Sequence, residues 1–155
     1  MTRITQVNIM KSIVICVDLN QRSLDTLKTI SDKINLQDGQ IHLIHVFEIH
    51  YTGQGYYAIV YPTAEEFPEI EKSVLKGLAE LAKDLKLPEN RVVKKCVFSH
   101  SKESVIKDYL SEVNAEMVIV ATRGKHGVDG LFSSSLTDFL CQYSPCDVLV
   151  LRPVK

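Results

Sequence analysis

No apolar stretch in the 155 residues approaches the roughly 20 that a membrane span needs, and the N-terminus lacks the apolar core of a signal peptide. The chain is therefore read as cytoplasmic. Charge of one sign is missing too. Eighteen basic against nineteen acidic residues leave a formal charge of -1, so the totals call for neither nucleic acid, an anionic membrane nor a polycationic partner. The four cysteines, Cys16, Cys96, Cys141 and Cys146, lack the paired C-x-x-C spacing of a zinc site or redox motif and read as buried, reduced thiols. A disulfide between Cys141 and Cys146, across a helix end and Pro145, is the minor alternative. His42 and His45 lie three apart in a strand-like run, where alternation sends their side chains to opposite faces, so they cannot chelate one ion without distortion. They are read as satisfied core or strand-end histidines, and no metal site is expected. A G-x-x-x-x-G-K-[ST] loop and a carboxylate cluster for catalytic Mg²⁺ are both absent, which argues against a nucleotidyl transferase or hydrolase.

What the chain does have is 45% hydrophobic and 24% charged residues, the balance of one globular domain over 1–155. Residues 1–9 carry no clear period and are read as a disordered or weakly ordered extension. The run 12–17, Ser-Ile-Val-Ile-Cys-Val, is a buried strand with Asp18 at its carboxyl tip. Leu24, Leu27, Ile30 and Ile34 repeat at loose helical spacing, with Asn20 or Ser23 as N-cap and Gly39 beyond the far end. A second strand spans 41–47. Residues 48–63 hold Gly53, Gly55, Pro62 and four tyrosines and are read as a long loop, either a lid or oligomer contact or a floppy surface insertion. Ile70, Val74, Leu78, Leu81 and Leu85 then mark a helix closed by Pro88. A third strand spans 91–98, and Ser101 caps a helix with Val105, Ile106, Tyr109, Leu110 and Val113 on one face. Leu136, Phe139, Leu140 and Tyr143 form a last helical stripe stopped by Pro145, before a fifth apolar strand at 147–152.

Between the third helix and the last lies 117–136, an apolar run that breaks into a Gly- and Ser-rich loop and restarts as a helix. Gly124, Gly127 and Gly130 stand among Arg123, Lys125 and His126, and Ser133, Ser134 and Ser135 open the helix. Backbone N–H groups freed by glycines, with those left unpaired at a helix start, make an anion cradle for phosphate. Five strands alternating with four helices imply a doubly wound α/β sheet, Rossmann-like, because parallel neighbours need right-handed helical crossovers. In such sheets a ligand sits beyond the carboxyl ends of the strands where the winding reverses, and Asp18 and the loop after 121 both lie at carboxyl ends.

The chain resembles the universal stress protein family over nearly its whole length. The resemblance rests on an early strand ending in Val17-Asp18, a second ending in His45-Val46, the run 115–120 before Thr122-Arg123-Gly124, and the closing run 144–152, Ser-Pro-Cys-Asp-Val-Leu-Val-Leu-Arg. It implies a five-stranded parallel sheet in the order 3-2-1-4-5 with helices on both faces, and a homodimer in which fifth strands meet. It also implies an adenine nucleotide, ATP foremost and with or without Mg, at the junction of strands one and four. Nucleotide-binding members carry Gly, two residues, Gly, nine residues, Gly, then Ser or Thr. Here that pattern falls on Ala121, Gly124, Ser134 and Ser135, so two of its three glycines are replaced. By resemblance, Asp18 holds the nucleoside half, backbone near Val46 and Val120 lines the base, and Gly124, Ser134 and Ser135 hold phosphates beside Leu136. Arg123 adds a guanidinium suited to phosphate. The expectation is a stress-type regulatory protein without enzymatic activity. The alternative is a dimeric interaction module of the same family that has lost nucleotide.

Overall fold

The computed structural model describes residues 11–36, 38–53, 59–122 and 136–153; the extension at 1–9 and the cradle loop from Arg123 to Ser135 lie outside them. In chain order the described elements are β1 (Ser12–Cys16), α1 (Gln21–Lys28), β2 (Gln40–Glu48), β3 (His50–Thr52), β4 (Ile59–Tyr61), α2 (Phe67–Asp84), β5 (Val92–Ser99), α3 (Lys102–Glu112), β6 (Ala115–Ala121), α4 (Leu136–Tyr143) and β7 (Asp147–Leu151). Five of these strands form one parallel sheet in the order β5-β2-β1-β6-β7. Counting only its own strands along the chain, that order is 3-2-1-4-5, as the resemblance implies.

Local chemistry sets the helix ends. Asn20 caps α1 by accepting the Ser23 N–H through Oδ1 at 2.9 Å, and Ser101 caps α3 by accepting the Ser104 N–H through Oγ at 3.3 Å. The second helix starts at Phe67, three residues before its apolar stripe, with Pro68 in the first turn where a missing N–H costs nothing. After α3 the chain reverses through Asn114, whose φ of 48° is left-handed, a conformation asparagine tolerates better than most residues.

Alternation splits every central strand between two cores. Ile13, Ile15, Ile41, Leu43 and Ile119 face one way, onto Leu27 of α1 and Val74, Leu78 and Leu81 of α2. Val14, Cys16, Ile44, Val46, Val118 and Val120 face the other, onto Ile106 and Leu110 of α3 and Leu140 of α4. A strand covered on both faces has no polar side to show, which is why these runs read as continuously apolar. Each fully buried Leu or Ile stabilises the fold by about 1.5–3 kcal/mol.

One polar residue enters the second core. His42 is buried, with Nδ1 2.7 Å from the Tyr109 hydroxyl and Nε2 3.2 Å from Gln40 Oε1, and Lys95 Nζ lies 4.3 Å over the Tyr109 ring. An amide oxygen only accepts, so Nε2 carries the proton and Nδ1 accepts from Tyr109. Burial, and then the nearby Lys95 charge, hold the His42 pKa below the usual 6.5. Between that depressed value and 6.5 the unfolded chain binds the extra proton and the folded one does not. Stability contributed by neutral His42 is therefore complete above about pH 6.5 and lost as pH falls through the folded value. Urea midpoints from pH 7.5 to 5 are expected to fall more steeply for the native chain than for His42→Gln; parallel slopes would contradict this assignment.

Residues 48–63 depart from the loop expectation. His50–Thr52 pairs antiparallel with Ile59–Tyr61, so the segment holds a short β-ribbon that rises from the carboxyl end of β2. All four cysteines are free. Burial pushes the Cys16 thiol up to about 12 and the Cys96 thiol to about 11, so neither supplies thiolate near neutral pH. Cys141 is exposed, against the expectation of a buried thiol. Among the described residues no helix is long and apolar enough to cross a membrane.

Candidate functional site

Cys16, the last residue of β1, pairs with Ile44 on β2 and with Val120 on β6. From β1 the chain crosses through α1 to β2 on one face of the sheet, and it returns from β5 through α3 to β6 on the other. The winding therefore reverses between β1 and β6, and the carboxyl ends of these two strands are where sheets of this kind take a ligand.

Several sequence-derived candidates gather at that edge. Asp18 is half-buried two residues beyond β1. Val46 and Val120 stand on the flanking strands with side chains buried in the second core, leaving their backbone as the part nearest the edge. Ala121 ends β6 opposite Leu151, and the Thr122 N–H donates to Leu151 O at 2.9 Å, so the strand keeps its ladder to its last residue. The backbone at Ala121 is thus extended, and its Cβ meets none of the strain that a left-handed conformation would impose. Leu136, first in α4, packs its half-buried side chain against the second core. Arg123, Gly124, Ser134 and Ser135 lie outside the described residues.

The β1–β2 ladder ends in an unusual way. The Val17 N–H donates to Ile44 O at 2.8 Å, the last backbone bond between these strands among the described residues. The Val17 carbonyl, one residue before Asp18, accepts instead from His45 Nδ1 at 2.7 Å. A carbonyl cannot donate, so Nδ1 carries the proton. The ring is set edge-on to Phe47, with centroids 6.4 Å apart.

Beside this edge the ribbon is tied down by contacts that no sequence spacing announces. His100 Nδ1 donates to Ile49 O at 3.0 Å, and the Tyr51 hydroxyl lies 2.9 Å from His100 Nε2, with the two rings stacked 4.6 Å apart. Lys102 at the start of α3 pairs with Glu48 at 3.3 Å. Phe67 stacks on Phe98 at 4.2 Å, joining the start of α2 to the end of β5. Among the described residues no group of three or more His, Cys, Asp or Glu side chains is arranged to hold a metal ion. A shallow depression lined by residues 31–36 and Leu85 sits at the opposite, amino edge of the sheet, away from this chemistry.

The fold and edge define a doubly wound α/β protein with its switch point between β1 and β6. The chain belongs to the universal stress protein family, whose family model matches residues 10–152. It is 26% identical over 145 residues to universal stress protein A homolog 1 of Coxiella burnetii, covering 91% of this chain and 95% of that one. Among solved structures it resembles a universal stress protein in complex with cAMP, at 14% identity and TM-score 0.64, covering 94% of this chain and 98% of that one. It also resembles the Archaeoglobus fulgidus universal stress protein in complex with dAMP, at 15% identity and TM-score 0.59, covering 92% and 98%.

Proposed function

We propose that this chain is a regulatory protein of the stress type, acting in the cytoplasm as one domain, that binds an adenine nucleotide, ATP foremost, at the β1/β6 switch point. The observation that carries this reading is the convergence of Asp18, Val46 and Val120 at one carboxyl edge. The donor set suits a nucleoside. A carboxylate accepts from ribose hydroxyls, and strand-end backbone offers a donor and an acceptor to a base edge. The cradle from Arg123 to Ser135 then supplies N–H groups, a guanidinium and hydroxyls to the phosphates. Any Mg²⁺ would arrive with those phosphates. The complexes of two structural neighbours with cAMP and dAMP support the adenine class. The extended backbone at Ala121 supports it too, because loss of the first glycine costs little there. Mass spectrometry of gently denatured, freshly purified protein is the direct test: a co-purifying adenine nucleotide is the expected finding.

Binding without turnover is the chemistry proposed. Positioned donors without a general base or a built metal site hold phosphates but stabilise little developing charge. The replaced glycine at Ser134 favours one second reading, a family member that works as a dimeric interaction module without nucleotide.

We also propose a homodimer through β7. Its Val148, Leu149 and Val150 are half-buried and uncharged on a sheet edge, whereas the opposite edge strand β5 carries Lys94 and Lys95. An edge whose only charge is Asp147 at its start invites strand pairing, and a two-fold partner removes the liability. Sedimentation at micromolar concentration is expected to give a dimer for the native chain and monomer for Val150→Lys, with a cooperative melt for both. A native monomer, or a folded variant of unchanged mass, would contradict it.

A further inference from the structure

We propose that His45 is a positioning residue, holding the β1–β2 ladder open by one rung so that the Val46 backbone N–H stays available to a ligand; for its ligand this inference rests on the adenine nucleotide reading. In a parallel pair, the residue opposite His45 donates to position 44 and accepts from position 46. Val17 is that residue. It makes the first bond, to Ile44 O at 2.8 Å, but its carbonyl is taken by His45 Nδ1 at 2.7 Å. Pairing between β1 and β2 accordingly stops at Cys16 and Ile44. The parity of the strand still directs the Val46 N–H toward the β1 side, at the level of Asp18 in the same register.

The imidazole thus does two things from one atom. It satisfies a carbonyl that would otherwise capture Val46, and it fixes the peptide joining Val17 to Asp18, so that the carboxylate and the Val46 N–H are set as one acceptor and one donor. An adenine edge that offers an acceptor ring nitrogen meets the N–H, and ribose hydroxyls meet the carboxylate. A side chain of similar reach without a donor would lose both effects. Val17 O would then find Val46 N–H, its ladder partner by register, and close the rung.

The test uses the full chain, freed of nucleotide, with adenosine as the probe, in the native form and as His45→Leu and His45→Asn. Asparagine places an amide N–H close to where Nδ1–H lies. Native protein and His45→Asn are expected to bind adenosine within about twofold of each other, and His45→Leu about five- to tenfold more weakly, the scale of one hydrogen bond. NMR couplings across hydrogen bonds add a readout that a merely structural role would not move. In native protein the Val17 carbonyl carbon is expected to couple to His45 Nδ1, and in folded His45→Leu to the Val46 amide nitrogen. Adenosine binding by His45→Leu equal to native, or a native Val17 carbonyl coupled to Val46, overturns this inference and leaves the nucleotide reading intact. No binding of adenosine or ATP by native protein overturns the nucleotide reading and takes the ligand role of Val46 with it.

Discussion

Gly39→Ala is expected to destabilise the fold by about 2–5 kcal/mol, the sum of a left-handed backbone forced on a Cβ and a collision in a packed turn. Gly39 has a φ of 105°, outside the left-handed well that non-glycine residues visit. A Cβ built there meets the Lys11 carbonyl oxygen, with the carbonyl carbon at 3.1 Å. That carbonyl cannot step aside without loss, because it accepts the Gln40 N–H at 2.7 Å and so opens the register of β2 on β1. The strain falls on the first rung between β1 and β2, at the amino ends of two neighbouring strands of the main sheet. Urea denaturation of native and variant chains measures the effect. A change below about 0.5 kcal/mol, the scale of an ordinary surface substitution, would show that the turn relaxes more freely than this geometry allows.

Gly124→Val is expected to have the second large effect, removing measurable nucleotide binding while leaving the melting temperature close to native. The argument comes from sequence, since Gly124 lies outside the described residues. If backbone N–H groups curl around phosphate at this glycine, valine adds a Cβ and a branch where neither fits. Two milder substitutions locate the halves of the ligand. Asp18→Ala is expected to weaken ATP and adenosine alike, because its proposed contact is to the nucleoside. Ser135→Ala is expected to weaken ATP alone, by about 0.5–3 kcal/mol depending on how charged the acceptor is. Equal losses for both ligands in Ser135→Ala would mean that the phosphates have been assigned to the wrong end of the site.

The sheet was legible because its inner strands are buried on both faces. Runs such as 12–17 and 117–121 announce themselves as apolar and β-branched, and the helices between them carry clear stripes and side-chain caps at Asn20 and Ser101. The ribbon of β3 and β4 was not legible. Each strand has three residues, too few for alternation to register, and both sit among glycines, tyrosines and Pro62 that read as loop. Of the candidates at the strand ends, Asp18 follows from the rule that ligands sit at carboxyl edges, whereas Val46, Val120 and Ala121 come from the family resemblance. His45 was legible as a satisfied strand-end histidine and as part of a family-like strand ending, but its partner was not. Its bond to Val17 depends on two strands meeting in one register, which spacing along the chain cannot encode. The same holds for His100, whose partners Ile49 and Tyr51 lie 51 and 49 residues away.

The most direct test of the central claim is calorimetric titration of native, nucleotide-free protein with ATP and with adenosine. Saturable binding of both, with ATP the tighter because the cradle adds phosphate contacts, is the expected result. Absence of measurable heat for either ligand at about 1 mM, a free energy no better than about -4 kcal/mol, would contradict it and leave the nucleotide-free interaction module standing.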